Sequence, residues 1–187
     1  MTTTLKKESV NELKIACNGA FSEAIGKLKD SGSIALLLQK LGHLPKDFDG
    51  NLLLPLLNNE SSQVRFWAVK NIGKLEDLKY LQVLSKIAKE DTDSMVRREA
   101  VSSIGRMRNP QNKSILIELL NDSDPKIVLQ AIRGLLVFKK DKIVADSLKR
   151  LIDHPNEMIQ IVIHKEYFAK STSKFEQPHP MTHDFLK

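Results

Sequence analysis

The sequence is short of several residue types, and each shortage excludes a class of protein. Cys17 is the single cysteine among 187 residues, which excludes an internal disulfide framework and suits a reducing compartment. Glycine and proline number eight and seven, too few for a collagen-like or low-complexity chain. We therefore expect a folded, cytoplasmic protein in which Cys17 is a small buried side chain.

Long apolar runs are missing as well. The longest stretches, at 34–38 and 52–57, are far shorter than the roughly 20 residues that a membrane-spanning helix needs. The first ten residues, MTTTLKKESV, lack the apolar core of a secretory signal. The sequence therefore predicts neither membrane insertion nor secretion.

Signatures of catalysis are also absent. The sequence has no phosphate-binding glycine loop, no G-x-S-x-G and no H-E-x-x-H. His179 and His183 are four residues apart, but the neighbouring prolines disfavour the helix that would bring both to one metal ion. Cys17 has no adjacent histidine or basic cluster to activate its thiol. We predict no catalytic residue, metal, cofactor or small-molecule substrate in this segment.

The chain does contain an internal repeat. Residues 61–75 read SSQVRFWAVKNIGKL, residues 93–107 read DSMVRREAVSSIGRM, and residues 124–138 read DPKIVLQAIRGLLVF. Apolar residues recur in each copy at i, i+4 and i+8, which is one face of a helix. The aligned triplets are Val64, Ala68, Ile72; Val96, Ala100, Ile104; and Ile127, Ala131, Leu135.

Each copy begins at a residue that can cap a helix and is followed by a second amphipathic stretch. Ser61, Asp93 and Asp124 can accept hydrogen bonds from the first turn of the helix. The intervening stretches, 78–90, 113–122 and 142–153, are also amphipathic. The pattern weakens outward, where Leu41-Gly42 is aligned with Ile72-Gly73. The sequence predicts an all-α chain of about five helix pairs, with a repeat domain at 1–170.

The repeated pattern V-R-x-x-A-V-x-x-I-G resembles the HEAT-like repeats first noted in bilin lyases. The resemblance implies a right-handed α-solenoid in which the second helix of each pair lines the concave face. It also implies that Arg65 and Arg97 are structural and pair with carboxylates of adjacent repeats. Asp93 and Asp124 are expected to be structural helix caps. The residues that carry the match are Val64, Arg65, Ala68, Val69, Ile72, Gly73, Val96, Arg97, Ala100, Val101, Ile104 and Gly105.

Positive charge is concentrated in the second helices. The net charge is +6, and residues 1–60 contribute none of it. The segments 61–75, 93–108 and 124–140 together carry a net charge of +8. Five repeats would form a groove on the order of 50 Å long, at roughly 8–10 Å per helix, which could follow a nucleic-acid backbone. The predicted nucleic-acid-binding residues are Lys70, Lys74, Arg98, Arg106, Arg133 and Lys140.

Two other functions fit the same fold. Phe66, Trp67 and Leu129 could form an apolar docking strip, in which case the partner is another protein rather than nucleic acid. Some HEAT-like solenoids are DNA glycosylases that remove alkylated bases, and these need an aspartate and aromatic residues at the groove centre. The sequence places its aspartates at helix starts and in loops, which disfavours that enzyme.

The end of the chain departs from the repeat. Residues 171–187 contain Pro178 and Pro180 within a polar stretch, which predicts a linker or tail. The stretch HPMTHDFLK at 179–187 resembles the segment that precedes the cofactor-binding fold of some bacterial DNA methyltransferases. The resemblance implies an N-terminal accessory DNA-binding domain of a modification enzyme, while the alternative is the tail of a free-standing solenoid.

Overall fold

The computed structural model describes residues 17–45 and 48–167. Within these ranges the regular elements are all helical, and the predicted all-α class is confirmed. The α-helices are α1 (17–27), α2 (Ser31–Lys40), α3 (Ser62–Lys74), α4 (Leu81–Glu90), α5 (Ser94–Arg106), α6 (Lys113–Glu118), α7 (Pro125–Leu135), α8 (Lys142–Lys149) and α9 (Glu157–Tyr167), and a 3-10 helix spans Gly50–Asn58.

The chain divides into two compact units, residues 1–145 and 146–187. The division falls inside α8. The first unit contains the repeats that the sequence pattern singled out, and the second contains α9.

The first unit is built from two layers of helices. α3 packs against α2 and α5, and α5 packs against α7, so the second helices of successive pairs form one continuous layer. The 3-10 helix, α4 and α6 each pack against the second helix of their own pair, α3, α5 and α7 respectively. The structure therefore confirms the predicted repetition of helix pairs.

Burial follows the aligned triplets. Every residue of the three triplets in α3, α5 and α7 is at most 1% exposed. The central alanines let neighbouring helices approach closely, and a glycine pair adds to this between α5 and α7. A Cβ atom on Gly105 would lie 3.1 Å from the Cα atom of Gly134, a contact that only small residues allow.

Asparagine and aspartate side chains shape the turns at the repeat boundaries. The Oδ1 atoms of Asn59, Asp91 and Asp122 each accept from the backbone N–H two residues later, at 2.8–2.9 Å. Asp93 caps α5 by accepting from the N–H groups of residues 95 and 96, and Asp124 caps α7 by accepting from that of residue 126. These short side chains hold non-helical backbone at helix starts.

Three expectations from the sequence are wrong. Ser61 is the N-cap of α3, but its side chain makes no cap hydrogen bond; Asn59 shapes that turn instead. Gly42 lies beyond the end of α2, with φ of 53°, whereas Gly73 is buried inside α3, so the two are not equivalent. Cys17 is exposed, although Phe21, one turn later in α1, is buried.

The second unit contains a helix start organised by a histidine. The Nδ1 atom of His154 accepts from the N–H of Asn156 at 3.0 Å, and its carbonyl oxygen accepts from Gln160 Nε2 at 2.8 Å. Ile159 and Ile163 form the buried side of α9. The predicted boundary at 170/171, the tail with its methyltransferase resemblance, and the pair His179 and His183 lie outside the described residues.

Candidate functional site

The predicted site residues lie on α3, α5 and α7 or in the turns beside them. We call the solvent-exposed side of these three helices the second-helix face. It contains a salt-bridged brace, an aromatic pocket and a cavity lined with arginines. The three regions use their charged residues in different ways.

The brace lies at the N-terminal end of α3. Arg65 donates from Nε and Nη2 to the two carboxylate oxygens of Asp91, both at 2.8 Å. Its Nη1 donates to the carbonyl oxygens of Asn59 and Glu60. The two side chains of the pair are only 13% and 7% exposed. Arg65 therefore joins the start of one second helix to the loop that precedes the next.

The pKa of Asp91 reflects this surrounding. Burial of the carboxylate raises the pKa, but hydrogen bonds from Arg65 and from the N–H of Asp93, with the charges of Arg65 and Arg97, outweigh burial and hold it below 3.8. The carboxylate is consequently ionised and fully committed to the fold at neutral pH.

Arg97 occupies the same position in α5 but makes a simpler contact. Its Nη1 donates to the carbonyl oxygen of Asp91 at 2.8 Å, just as Arg65 donates to that of Asn59. The expected pairing of Arg97 with a carboxylate of the next repeat is not found among the described residues. In α7 the equivalent residue is Val128, which is buried, so the arginine brace does not continue.

Two of the predicted phosphate-binding lysines have partners within the chain. Lys74 donates from Nζ to the carbonyl oxygen of Gly42 at 2.6 Å and to Oδ1 of Asn71 at 2.9 Å. Its pKa is lowered by burial and by the nearby charges of Lys70 and Arg106. Lys70 Nζ lies 4.8 Å from the centroid of the Trp67 ring. These contacts leave the two ammonium groups less available to a ligand.

The aromatic pocket lies between the N-terminal halves of α3 and α5. The rings of Phe66 and Trp67 meet edge to face, with centroids 5.2 Å apart, and Met95 beside them is 49% exposed. The cavity has a volume of about 320 Å³. It is lined by Ser62, Gln63, Phe66, Trp67, Asp93 and Met95.

Met95 is a member of this pocket that the sequence did not reveal. The equivalent residues of the other repeats, Gln63 and Lys126, are polar. They indicated that this position faces solvent and that a methionine there would be exposed. Leu129, the third predicted docking residue, lies on α7 and does not line the pocket. The three predicted residues therefore do not line one pocket. Phe66 and Trp67 line it together with Met95 of α5, and Leu129 does not.

The arginine cavity lies at the C-terminal ends of α5 and α7. Its volume is about 520 Å³. It brings together two predicted residues, Arg106 and Arg133, and adds Arg108, which the sequence analysis did not single out. The lining residues are Glu76, Ser102, Gly105, Arg106, Arg108, Gln130, Arg133, Gly134 and Val137.

Arg106 is held in place by α5 itself. Nη2 donates to Glu99 and Ser103, both at 2.9 Å, and Nη1 donates to Ser102 at 3.0 Å. Gly73 of α3 leaves room for this guanidinium, since a Cβ atom there would lie 2.8 Å from Nη2. Arg106 is thus less free to meet a partner than the sequence suggested.

The remaining predicted cations are more open. Arg133 is exposed, and within the described residues its side chain donates to Gln130 alone, at 3.2 Å. Arg98 is partly exposed on α5, and Lys140 is exposed in the turn after α7. The basic residues of the second-helix face therefore differ in how strongly the fold holds them: Arg65 and Arg106 make several hydrogen bonds, and Arg133 makes one.

Two kinds of site are absent from the described residues. No group of three or more histidine, cysteine, aspartate or glutamate side chains is arranged to hold a metal ion. None of the described helices has the length and apolar character needed to span a bilayer.

A known protein family shares this architecture. A family model described as HEAT repeats matches residues 51–105 and 81–163, which together cover more than half of the chain. The chain belongs to the HEAT-repeat family. None of the curated proteins matches it.

Solved structures were also compared with the chain, and one of them shares its fold. The chain is similar to one in the complex of CpcE and CpcF of phycocyanin lyase from Nostoc sp. PCC7120, with a TM-score of 0.63 and 18% identity over 81% of this chain and 98% of that chain. A designed armadillo repeat protein in complex with the peptide (KR)4 has a TM-score of 0.48 and 19% identity, over 86% and 90% of the two chains. The family match confirms the predicted HEAT-like resemblance, and the likeness to the phycocyanin lyase chain concerns the fold alone.

Proposed function

We propose that this HEAT-repeat chain is a non-catalytic binding module that holds a polypeptide partner on its second-helix face. The aromatic pocket anchors the partner, and the open arginines pair with acidic side chains around it. The observation that carries the proposal is the juxtaposition of Phe66, Trp67 and the half-exposed Met95 on neighbouring repeats.

The composition of the face supports a protein partner. Aromatic residues, methionine and arginine are the types enriched in protein interfaces, and tryptophan and arginine are frequent energetic anchors. Val137, at the rim of the arginine cavity, is a further half-exposed apolar residue, at 53%. A surface that served only phosphate contacts would gain nothing from exposing these apolar groups. Stacked repeats also provide the extended surface that such a partner needs.

The chain has a built-in reporter for a direct test. Trp67 is its single tryptophan, so its fluorescence reports on the aromatic pocket alone. A short acidic peptide that contains phenylalanine and leucine should change the emission in a saturable way. Phe66→Ala should weaken that binding by about tenfold, which corresponds to roughly 1.4 kcal/mol.

The matched control removes an exposed apolar side chain elsewhere. Ile143 on α8 is 69% exposed, and Ile143→Ala should leave peptide binding unchanged. Equal losses in both variants, or binding that leaves Trp67 emission unchanged, would contradict the proposed anchor.

Nucleic acid is the second candidate partner, and the charge distribution favours it. The second-helix segments carry +8, while the segments between them, 76–92 and 109–123, carry −1 each. Duplex DNA should then bind at low salt and weaken steeply between about 50 mM and about 200 mM salt. Arg98→Glu with Arg133→Glu should reduce this binding without lowering the melting temperature. If DNA outcompetes the acidic peptide at about 200 mM salt, nucleic acid replaces polypeptide as the proposed partner.

Two more specific hypotheses remain. A glycosylase needs an aspartate beside aromatic rings, and Asp93 does line the aromatic pocket, but its Oδ1 caps α5. Release of free base from alkylated DNA would establish that activity. The accessory-domain hypothesis depends on residues 179–187, and the coding sequence that follows Lys187 tests it.

A further inference from the structure

Two residues at the arginine cavity have a backbone conformation that favours glycine. Glu76 has φ of 52° and Arg108 has φ of 46°. Each is the second residue after its helix, following the C-cap residues Leu75 and Met107. Helices commonly end with a left-handed residue at this position, and glycine is by far the usual choice because it has no Cβ atom to clash.

The first helix pair shows the ordinary solution. Gly42 follows the C-cap of α2 with φ of 53°, which matches the position of Glu76 after α3 and of Arg108 after α5. The chain therefore uses glycine at one of these turns and long charged side chains at the other two. Both charged residues line the same cavity, so the strained backbone brings opposite charges to one place.

The arginines that line the cavity differ in how strongly hydrogen bonds within the fold hold their guanidinium groups. Arg106 is fixed by Glu99, Ser102 and Ser103. Arg133 donates to Gln130, and the Arg108 side chain has no hydrogen bond or ion pair with any residue that the structure describes. The close approach of Gly105 and Gly134 brings the ends of α5 and α7, and so these arginines, to the walls of one cavity.

Charge and shape together indicate the ligand. Clustered guanidinium groups with planar, forked donors bind phosphate and carboxylate through charge-assisted hydrogen bonds. Glu99 neutralises Arg106 at 2.9 Å, and the other charged residues that line the cavity are Arg108, Arg133 and Glu76. A cavity of about 520 Å³ has room for a side-chain phosphate, and a phosphoryl group carries up to two charges to meet the two open arginines.

We propose that the arginine cavity is a subsite for the phosphoryl group of a phosphorylated side chain in the bound polypeptide. Arg108 and Arg133 bind its oxygens, Arg106 provides a fixed wall, and Glu76 limits the affinity by repulsion. This assignment rests on the proposed function, because the polypeptide must lie on the second-helix face for its side chain to reach the cavity.

The two left-handed residues give a matched pair of variants. Arg108→Gly and Glu76→Gly both relieve the same backbone strain, so neither should lower the melting temperature. Their effects on charge are opposite. The probes are acidic peptides with one serine at varied distances from the phenylalanine, each compared with its phosphoserine form by Trp67 emission.

Wild-type protein should bind the best phosphoserine peptide about tenfold more tightly than its serine form. Arg108→Gly should abolish this gain, and Glu76→Gly should increase it several-fold. Absence of any gain, or equal effects of the two variants, would overturn the subsite.

A second measurement separates this inference from the proposed function. Free O-phosphoserine, with serine as the control, should shift the NMR signals of the Arg108 and Arg133 Nε–H groups but not that of Arg65.

Serine peptides that bind without any phosphate gain would leave the proposed function standing and overturn the subsite. Phosphoserine that shifts those signals while no peptide binds would support the subsite and remove the polypeptide partner. Duplex DNA that displaces phosphoserine more effectively than the peptides would overturn the polypeptide source of the phosphate.

Discussion

The helices α3 and α5 are near-copies whose buried and exposed sides have diverged to different extents. Val64, Ala68 and Ile72 of α3 have the same side chains as Val96, Ala100 and Ile104 of α5, and all are buried. On the exposed side, Phe66 and Trp67 of α3 are replaced by Arg98 and Glu99 in α5.

The difference separates what builds the stack from what distinguishes one repeat from the next. Packing requires small and branched apolar residues at fixed positions, because neighbouring helices meet there at close-packed density. No such constraint acts on the solvent side. A partly exposed aromatic pair in one copy and a charged pair in the other are therefore features that folding does not demand.

The largest predicted contrast concerns the arginine shared by both copies. Arg65→Met should destabilise the fold by about 3 kcal/mol, since it leaves the carboxylate of Asp91 buried without its main partner. Arg97→Met removes one hydrogen bond to a carbonyl oxygen and should cost about 1 kcal/mol. Chemical denaturation of the two variants measures the difference. Equal costs would show that the ion pair adds nothing to the brace.

Gly73 of α3 and Gly105 of α5 should show a smaller difference in the stability cost of an alanine substitution. A Cβ atom on Gly73 would lie 2.1 Å from Ser103 Oγ and 2.5 Å from Ser103 Cβ, so Gly73→Ala should cost about 2 kcal/mol through overpacking. The Cβ atom of Gly105→Ala would meet the Cα atom of Gly134 at 3.1 Å and its backbone N at 3.8 Å, a milder contact that should cost less than about 1 kcal/mol.

Gly26 of α1 provides the control for this pair. A Cβ atom there would meet nothing within 4 Å, so Gly26→Ala should preserve or raise stability. Denaturation midpoints that fall equally for Gly26, Gly73 and Gly105 would contradict the steric explanation.

Acidic pH should narrow the difference in unfolding free energy between the wild type and Arg65→Met. The folded-state pKa of Asp91 lies below 3.8, so its stabilising contribution is present above that pH and is lost as the pH falls through the folded value. The gap in unfolding free energy should close by up to about 1.4 kcal/mol per pH unit in this range. A gap that stays constant from neutral pH to pH 3 would show that the pair does not control the titration of Asp91.

The sequence predicted the repeat and its core because periodic apolar residues determine both. Val96, Ala100 and Ile104 recur at helical spacing with their counterparts one repeat away, so their alignment indicated the packing directly. The turns were less accessible. Gly42 was aligned with Gly73 because both follow an aliphatic residue, but one ends a helix and the other packs inside one.

The site residues were harder to predict because their use depends on long-range contacts. Lys74 and Arg106 look like free cations in a helical register. Only the fold brings Lys74 to the carbonyl oxygen of Gly42, 32 residues earlier, and gives Arg106 the space above Gly73. Arg108 lies in a turn, and its conformation follows from how α5 ends rather than from any local sequence signal.

The smallest effect on stability is predicted for the exchange that matters most for function. Phe66→Arg with Trp67→Glu gives α3 the exposed pair of α5, and it should change the unfolding free energy by less than about 1 kcal/mol because no core position is altered. Binding of a fluorescently labelled acidic peptide, measured by anisotropy, should fall at least tenfold.

The control places the same charges on first helices, as Gln82→Arg on α4 with Ser114→Glu on α6, and like the exchange on α3 it leaves the net charge unchanged. Both of these residues are exposed and lie outside the second-helix face, so peptide affinity should be unchanged. If the exchange on α3 also leaves affinity unchanged, the aromatic pair is not an anchor. The difference between the two copies would then be neutral drift at solvent-exposed positions. If both exchanges weaken binding equally, the introduced charges act wherever they lie on the surface, and the peptide is not held at the pocket.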